Sequence, residues 1–322
     1  MKILVIFTGG TIGTTIKNGW ANVDDAAKYA LLDNYKNKNH IEFVTSTPYS
    51  ILSENLSAKE LNLLQKEIND NLSKDFDGII ITHGTDTLQY SAAAVEYAFD
   101  DCGLPIILVS ADYPLHNPKS NGYANFEGAV EFIKSKSAKG VFVSYKNDNE
   151  CVTNIHIASH ILQHSEQNAN IYSIDKPFAV YDGKITLNNV DISCKSSLGI
   201  VNYVEKPHIL VVESNPANDY SYCLDNVNAI ILKPYHSGTL NTSNNYFKDF
   251  CNRAKEKSIP VFVMGTSVET DYESKQKYDE LNIKVLPLGT YISAYMKIWA
   301  GISLKKPLTD FMQNKIANEI IK

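Results

Sequence analysis

Ile3-Leu4-Val5-Ile6-Phe7 runs directly into Thr8-Gly9-Gly10-Thr11-Ile12-Gly13. The run shows no polar alternation, so it reads as a strand covered on both faces, as parallel strands between helix layers are. A Thr/Gly turn at its carboxyl end stands where ligands bind in an open parallel sheet. Adjacent glycines can take positive φ and let the backbone approach a ligand closely. Taken alone, the motif also fits a tight turn with no chemical role.

The same grammar continues outward from this stretch. Short apolar runs bounded by turn residues recur at Ile41–Val44, Gly78–Thr82, Pro105–Val109 and Gly140–Ser144. Helical patterns separate them. Leu61, Leu64, Ile68 and Leu72 repeat at three- and four-residue intervals behind a Ser57/Glu60 capping box. Leu88, Ala92, Val95 and Phe99 form a second stripe, and Phe126, Val130 and Ile133 a third. Strand–helix alternation of this kind predicts an α/β fold.

The rhythm changes near residue 178. Phe178–Tyr181 and Lys184–Leu187 flank Asp182-Gly183 and predict a hairpin. The polar stretch 188–206 reads as a linker. It divides a larger domain, 1–187, with a parallel sheet, from a smaller α/β domain, 207–322. The second domain has expected strands at His208–Val212, Ala229–Leu232, Pro260–Met264 and Ile283–Leu286. Its expected helices are Asn244–Lys257, Thr290–Ala300 and Pro307–Ile321.

Composition narrows the function classes. In 322 residues, 30 Lys and Arg stand against 36 Asp and Glu, a net charge of −6 that lacks the basic surplus of a nucleic-acid binder. Five scattered cysteines (Cys102, Cys151, Cys194, Cys223, Cys251) have no CxxC spacing and are expected as small buried residues, not a zinc site or disulfide framework. The first apolar run is too short for a signal peptide, and no stretch approaches the ~20 apolar residues of a membrane span. A cytoplasmic location, no membrane partner, and neither cofactor nor metal are expected.

A second Thr/Gly cluster, Thr82-His83-Gly84-Thr85-Asp86-Thr87-Leu88, follows the Gly78–Ile81 run and opens a helix. Asp86 and Thr87 could simply cap that helix. Capping does not explain why two such clusters occupy two strand ends of one sheet, where they can face each other across a cleft. Dinucleotide and P-loop fingerprints fail, because Thr8 replaces the first glycine of G-x-G-x-x-G and no Gly-Lys-Ser/Thr occurs. No G-x-S-x-G elbow is present either.

Together, Thr8–Gly13 (TGGTIG) and His83–Leu88 (HGTDTL), 75 residues apart, resemble the two signature motifs of the bacterial-type L-asparaginase/glutaminase family, in its type I, cytoplasmic-like form. Ser53-Glu54-Asn55-Leu56 resembles the substrate-binding loop between them. Tyr113-Pro114-Leu115 with Ser120-Asn121-Gly122 looks like the loop after the fourth strand. Tyr235–Thr242 is similar to the loop that approaches a partner subunit's site. The resemblance implies the asparaginase/glutaminase fold and hydrolysis of L-asparagine, with glutamine as a possible second substrate, in a homodimer or homotetramer.

Carried over by position, Thr11 is the implied nucleophile. Thr85 would assist proton transfer and the deacylating water, and Asp86 would hold the substrate's α-amino group. Ser53 and Glu54 would grip the α-carboxylate and amine, with Gly10 and Gly84 also binding substrate. A hydroxyl nucleophile needs activation and its oxyanion needs donors, which N–H groups of a Gly-Gly turn can supply. His83 is expected to be structural.

Two positions depart from the family. An activating tyrosine is expected about ten residues past the nucleophile, where Trp20 falls; Tyr29 and Tyr35 are the nearby phenols. No lysine lies in Thr153–Gln163, where the family completes a Thr-Asp-Lys group; His160 is the first candidate to replace it and Gln163 the second. These departures sustain a rival reading, a pseudoenzyme that senses Asn or Asp. A tRNA-dependent amidotransferase subunit shares the motifs, but an extra domain would be expected ahead of TGGTIG.

Overall fold

The computed structural model describes residues 1–17, 20–23, 25–35, 40–192, 196–266 and 272–321, those between 14 and 28 by backbone alone. In chain order, the strands of the first half are β1 (Lys2–Phe7), β2 (Thr14–Lys17), β3 (Trp20–Val23), β4 (Glu42–Ser46), β5 (Gly78–Thr82), β6 (Pro105–Val109), β7 (Gly140–Tyr145), β8 (Thr153–Ile157), β9 (Ala179–Tyr181) and β10 (Ile185–Leu187). Its helices are α1 (Asp25–Asn34), α2 (Ala58–Leu72), α3 (Leu88–Phe99) and α4 (Gly122–Ser135).

Eight of these strands form one sheet in the order β10-β9-β8-β7-β6-β5-β1-β4. From β4 to β7 all pairs are parallel, with Leu4 opposite Val44 on one side and Ile79 on the other. β1 is unalternating because both its faces are buried. Ile3, Val5 and Phe7 pack with Phe126, Val130 and Ile133 of α4. Leu4 and Ile6 pack with Leu64 and Ile68 of α2 and with Ala92, Val95 and Phe99 of α3. Each such side chain contributes roughly 1.5–3 kcal/mol on full burial.

Beyond β7 the sheet turns antiparallel through β8, β9 and β10, which extends the parallel architecture read from the sequence. The expected hairpin forms, but Ile185 pairs with Tyr181, so its loop holds three residues, with Gly183 at φ 98°. The unforeseen β8 reads Thr-Asn-Ile-His-Ile, a pattern too polar to announce a buried strand. The β2/β3 hairpin and α1 also went unannounced.

The chain divides into two units, Met1–Val201 with Ile316–Asn318, and Asn202–Lys315 with Glu319–Lys322. The second unit carries a four-stranded parallel sheet of β11 (Ile209–Glu213), β12 (Ala229–Lys233), β13 (Val261–Met264) and β14 (Ile283–Leu286) in sequence order. Its helices are α5 (Asn245–Glu256), α6 (Tyr291–Ser303) and α7 (Leu308–Gln313). α7 ends eight residues before the expected Ile321. Buried Lys297 draws the carbonyls of Met312 and Asn314 onto its ammonium, along with the Glu319 carboxylate at 2.7 Å, and the segment beyond leaves the helical path.

Of the cysteines, Cys251 is buried and Cys102 half-buried, but Cys151 and Cys223 are exposed, contrary to the expectation of burial; Cys194 lies outside the described residues. Among the described residues no helix is long and apolar enough to cross a membrane.

Candidate active site

The carboxyl ends of β1 and β5 are tied first by Thr8, whose hydroxyl donates to the Thr82 carbonyl at 2.7 Å. Gly9 (φ 101°) and Gly10 (φ 75°) then turn the chain through conformations that disfavour a side chain. The turn lies against the loop before α2: Ile51 N–H donates to Thr8 O, and Gly10 N–H donates to Ile51 O at 2.9 Å. This corrects one expectation. The Gly10 N–H is already committed to Ile51, so it does not serve as an oxyanion donor.

What Gly10 provides is closeness. A Cβ placed there would stand 2.2 Å from the Gly84 amide nitrogen, and one on Gly84 would stand 2.4 Å from Ser53 Oγ. Three segments distant in sequence therefore meet, Gly10 against the Gly84 backbone and Gly84 against the Ser53 side chain, with Thr11 and Thr85 adjoining the contact. Thr11 opens a 3-10 turn, Thr11–Gly13, and is half-buried. Ser53 is buried at the start of the 3-10 turn Ser53–Asn55, while Glu54 is exposed on it.

The second cluster is not a helix cap. Thr87 occupies the N-cap position of α3 without a capping bond; its hydroxyl donates to Ser53 O at 2.8 Å instead. Asp86 is exposed, and its carboxylate lies 3.5 Å from Ser53 Oγ. His83 is structural, as expected. Its Nδ1 donates to Gly84 O, Nε2 accepts from Ser91 Oγ, both at 2.8 Å, and burial pushes its pKa down so the ring stays neutral. Tyr49 sits beside Thr8 with its phenol pushed up by burial.

A cavity of about 290 Å³ opens next to this junction. Thr85, Asp86 and Gln89 form one wall, and Gln163, His164 and Asn168 belong to the other. Here the order of the two replacement candidates reverses. Glu96 accepts the Ser159 N–H and fixes the 3-10 turn Ala158–His160. His160 is buried, and its Nε2 donates to Asn318 O at 2.7 Å. Three residues further on, Gln163 reaches the cavity wall beside Thr85 and Asp86. Gln89 and His164, also on the wall, carry no sequence signal that singles them out.

The phenols are placed as plainly. Tyr35 is buried and donates to Glu131 at 2.8 Å. Tyr29 sets its ring edge-on to Phe7, with centroids 5.7 Å apart. The Trp20 side chain lies outside the described residues.

Residues 2–190 match the family model described as Asparaginase, N-terminal. The chain belongs to the asparaginase family. Among curated relatives, a glutamyl-tRNA(Gln) amidotransferase subunit of Methanobrevibacter smithii is 29% identical over 196 residues, 60% of this chain and 44% of that protein. The L-asparaginase of Thermococcus kodakarensis is 26% identical over 146 residues, 45% of this chain and 44% of that one. The chain thus spans under half the length of these curated relatives.

Among solved structures, the thermostable L-asparaginase from Thermococcus kodakarensis superposes with a TM-score of 0.82 at 18% identity, covering all of both chains. L-asparaginase I from Vibrio cholerae gives 0.80 at 20%, over 100% of this chain and 99% of that one. At such identity the likeness is one of fold, and the asparaginase fold accordingly extends through both units.

Proposed function

We propose that this asparaginase-family chain hydrolyses the side-chain amide of L-asparagine, releasing L-aspartate and ammonia. The Thr11 hydroxyl attacks the amide carbon, the C–N bond breaks as ammonia leaves, and water then cleaves the Thr11 ester. Thr85 relays the protons, with Gln163 orienting the water from the facing wall. Asp86 holds the α-ammonium, and Ser53 and Glu54 grip the α-carboxylate and amine. Nucleophile attack and proton relay of this kind need groups held within hydrogen-bond reach.

The observation that supports the reading is the Gly10–Gly84–Ser53 contact, which joins the turn that precedes Thr11 to the one that precedes Thr85, with Thr85 and Asp86 lining the neighbouring cavity. The same site within a tRNA-dependent amidotransferase is a second reading, favoured by the likeness to glutamyl-tRNA(Gln) amidotransferase subunits; it would employ the same amide hydrolysis. We further propose a cytoplasmic homodimer or homotetramer, with Tyr235–Thr242 at a partner's site. Stable interfaces of that kind bury more than ~2,000 Å².

Ammonia release from L-asparagine and L-glutamine tests the reaction. Turnover of asparagine is expected; saturable asparagine or aspartate binding without turnover would establish the sensor reading instead. Sedimentation of a fully active ~36 kDa monomer would remove the oligomer from the account.

A further inference from the structure

We propose that Glu96 is a positioning residue that sets the spacing between the two walls of the cavity, with Asn318 holding it in place. Thr85, Asp86 and Gln89 stand at the head of α3, and Gln163 and His164 follow the turn Ala158–His160. Two turns along α3 from Gln89, Glu96 is fully buried, and its two oxygens accept N–H groups from two other segments. One is the N–H of Ser159, in the turn ahead of Gln163, and the other is that of Asn318 at 3.1 Å. The Glu96–Ser159 bond therefore joins the element behind one wall to the element behind the other.

Asn318 closes the arrangement. Its Nδ2 donates at 2.7 Å to Asp100, one turn beyond Glu96, and its carbonyl accepts from His160 Nε2 at 2.7 Å. Asn318 belongs to the first unit with Ile316 and Ala317, and it bonds both to α3 and to the turn. A buried carboxylate is a costly tie. A neutral amide would cost less, but it offers one oxygen where two N–H donors converge, and its NH2 would oppose the second donor. The carboxylate holds both segments at a fixed distance.

Gln163 as the residue that orients the water belongs to the proposed hydrolysis, on which this role of Glu96 rests. Asp86 and Ser53, which hold the substrate's ends, lie together on the Thr85 side. Loosening the tie should therefore act on kcat more than on KM. Glu96→Gln, shown folded by circular dichroism, should lose about tenfold or more in kcat for L-asparagine, since a shift of about an ångström remote from the reacting atoms suffices for such a loss. Its KM should stay within about twofold of wild type.

In the double variant Glu96→Gln/Gln163→Ala, kcat should be no lower than in Gln163→Ala alone, because the tie acts through that side chain. A merely structural defect would multiply with the Gln163 loss. Hydrogen exchange without substrate gives the second readout: amides of residues 159–164 should exchange faster in Glu96→Gln than in wild type. If Glu96→Gln does not fold, Asn318→Ala, which keeps the backbone bonds to Glu96 and His160 and loses the Asp100 contact, carries the same readouts. Unchanged exchange in this segment, or a kcat loss that multiplies with that of Gln163→Ala, would overturn the role of Glu96. A wild type without turnover would count against hydrolysis, and the exchange result would still decide the tie.

Discussion

Gly10 and Gly84 touch so closely that a single methyl group on Gly10 would lie 2.2 Å from the Gly84 nitrogen. Neither residue leaves room for a side chain, and the contact joins the two Thr/Gly motifs. Gly10→Ala should therefore displace one turn from the other and strain a positive φ, costing about 2 kcal/mol or more. Chemical denaturation should register the loss, and activity should fall with it. Gly103→Ala is a suitable control, since Gly103 also has positive φ but nothing within 4 Å of the point a methyl group would occupy.

Asp86→Ala should leave stability nearly unchanged, because the carboxylate is exposed in the chain alone. Its effect should be on binding. Losing one charge-assisted hydrogen bond costs roughly 1.5–3 kcal/mol, or about a ten- to hundredfold rise in KM. Succinamic acid, which has no α-amino group, should be handled alike by both proteins; a large difference on that substrate would reject the role.

The exchange of roles between His160 and Gln163 is checked by kinetics. His160→Gln should keep the wild-type pH–rate profile, because the ring is spent on Asn318. Gln163→Ala, on the cavity wall, should lower kcat with little change in stability. A vanished acidic limb in His160→Gln would restore the histidine as the relay.

Much of this was legible in the chain, and the exceptions share a cause. β1, β5, β6 and β7 announce themselves because strands buried on both faces are apolar at every position, and α2 and α3 because one stripe faces the sheet. β8 does not, since Asn154 and His156 sit in it, Asn154 donating to the nearby Glu150 and His156 bonded through Nδ1 to Ser173, a partner no local pattern discloses. The shortened α7 and the redirection of His160 both follow from the path of residues 314–319, fixed by contacts with Lys297, Glu96 and Asp100 far away in sequence. The two Thr/Gly motifs were legible because each stands directly behind an apolar strand. Gln89 and His164 were missed because only the cavity relates them.

Buried His156 predicts a pH dependence of stability. Burial, with the neighbouring His160 adding to it, holds its pKa down at about 4 from an ordinary value near 6.5. Between those values the unfolded chain binds the proton and the folded one does not, so stability is full above pH ~6.5 and declines as pH falls toward 4, by about 3 kcal/mol. Glu96, raised by burial and by Asp100, acts in the opposite sense, losing stability as pH rises through its range. Urea titrations of wild type and His156→Gln across pH 4–7.5 isolate the histidine: the variant should lack this component, and parallel curves would exclude it.

The central claim is that the Thr11 hydroxyl forms and breaks the bond to the substrate. Ammonia release from L-asparagine by wild type and by Thr11→Val, at matched concentration and with folding confirmed by circular dichroism, tests it most directly. The wild type should turn over, and the variant should lose several orders of magnitude in kcat, as removal of a covalent nucleophile entails. A Thr11→Val protein that releases ammonia at the wild-type rate would contradict it.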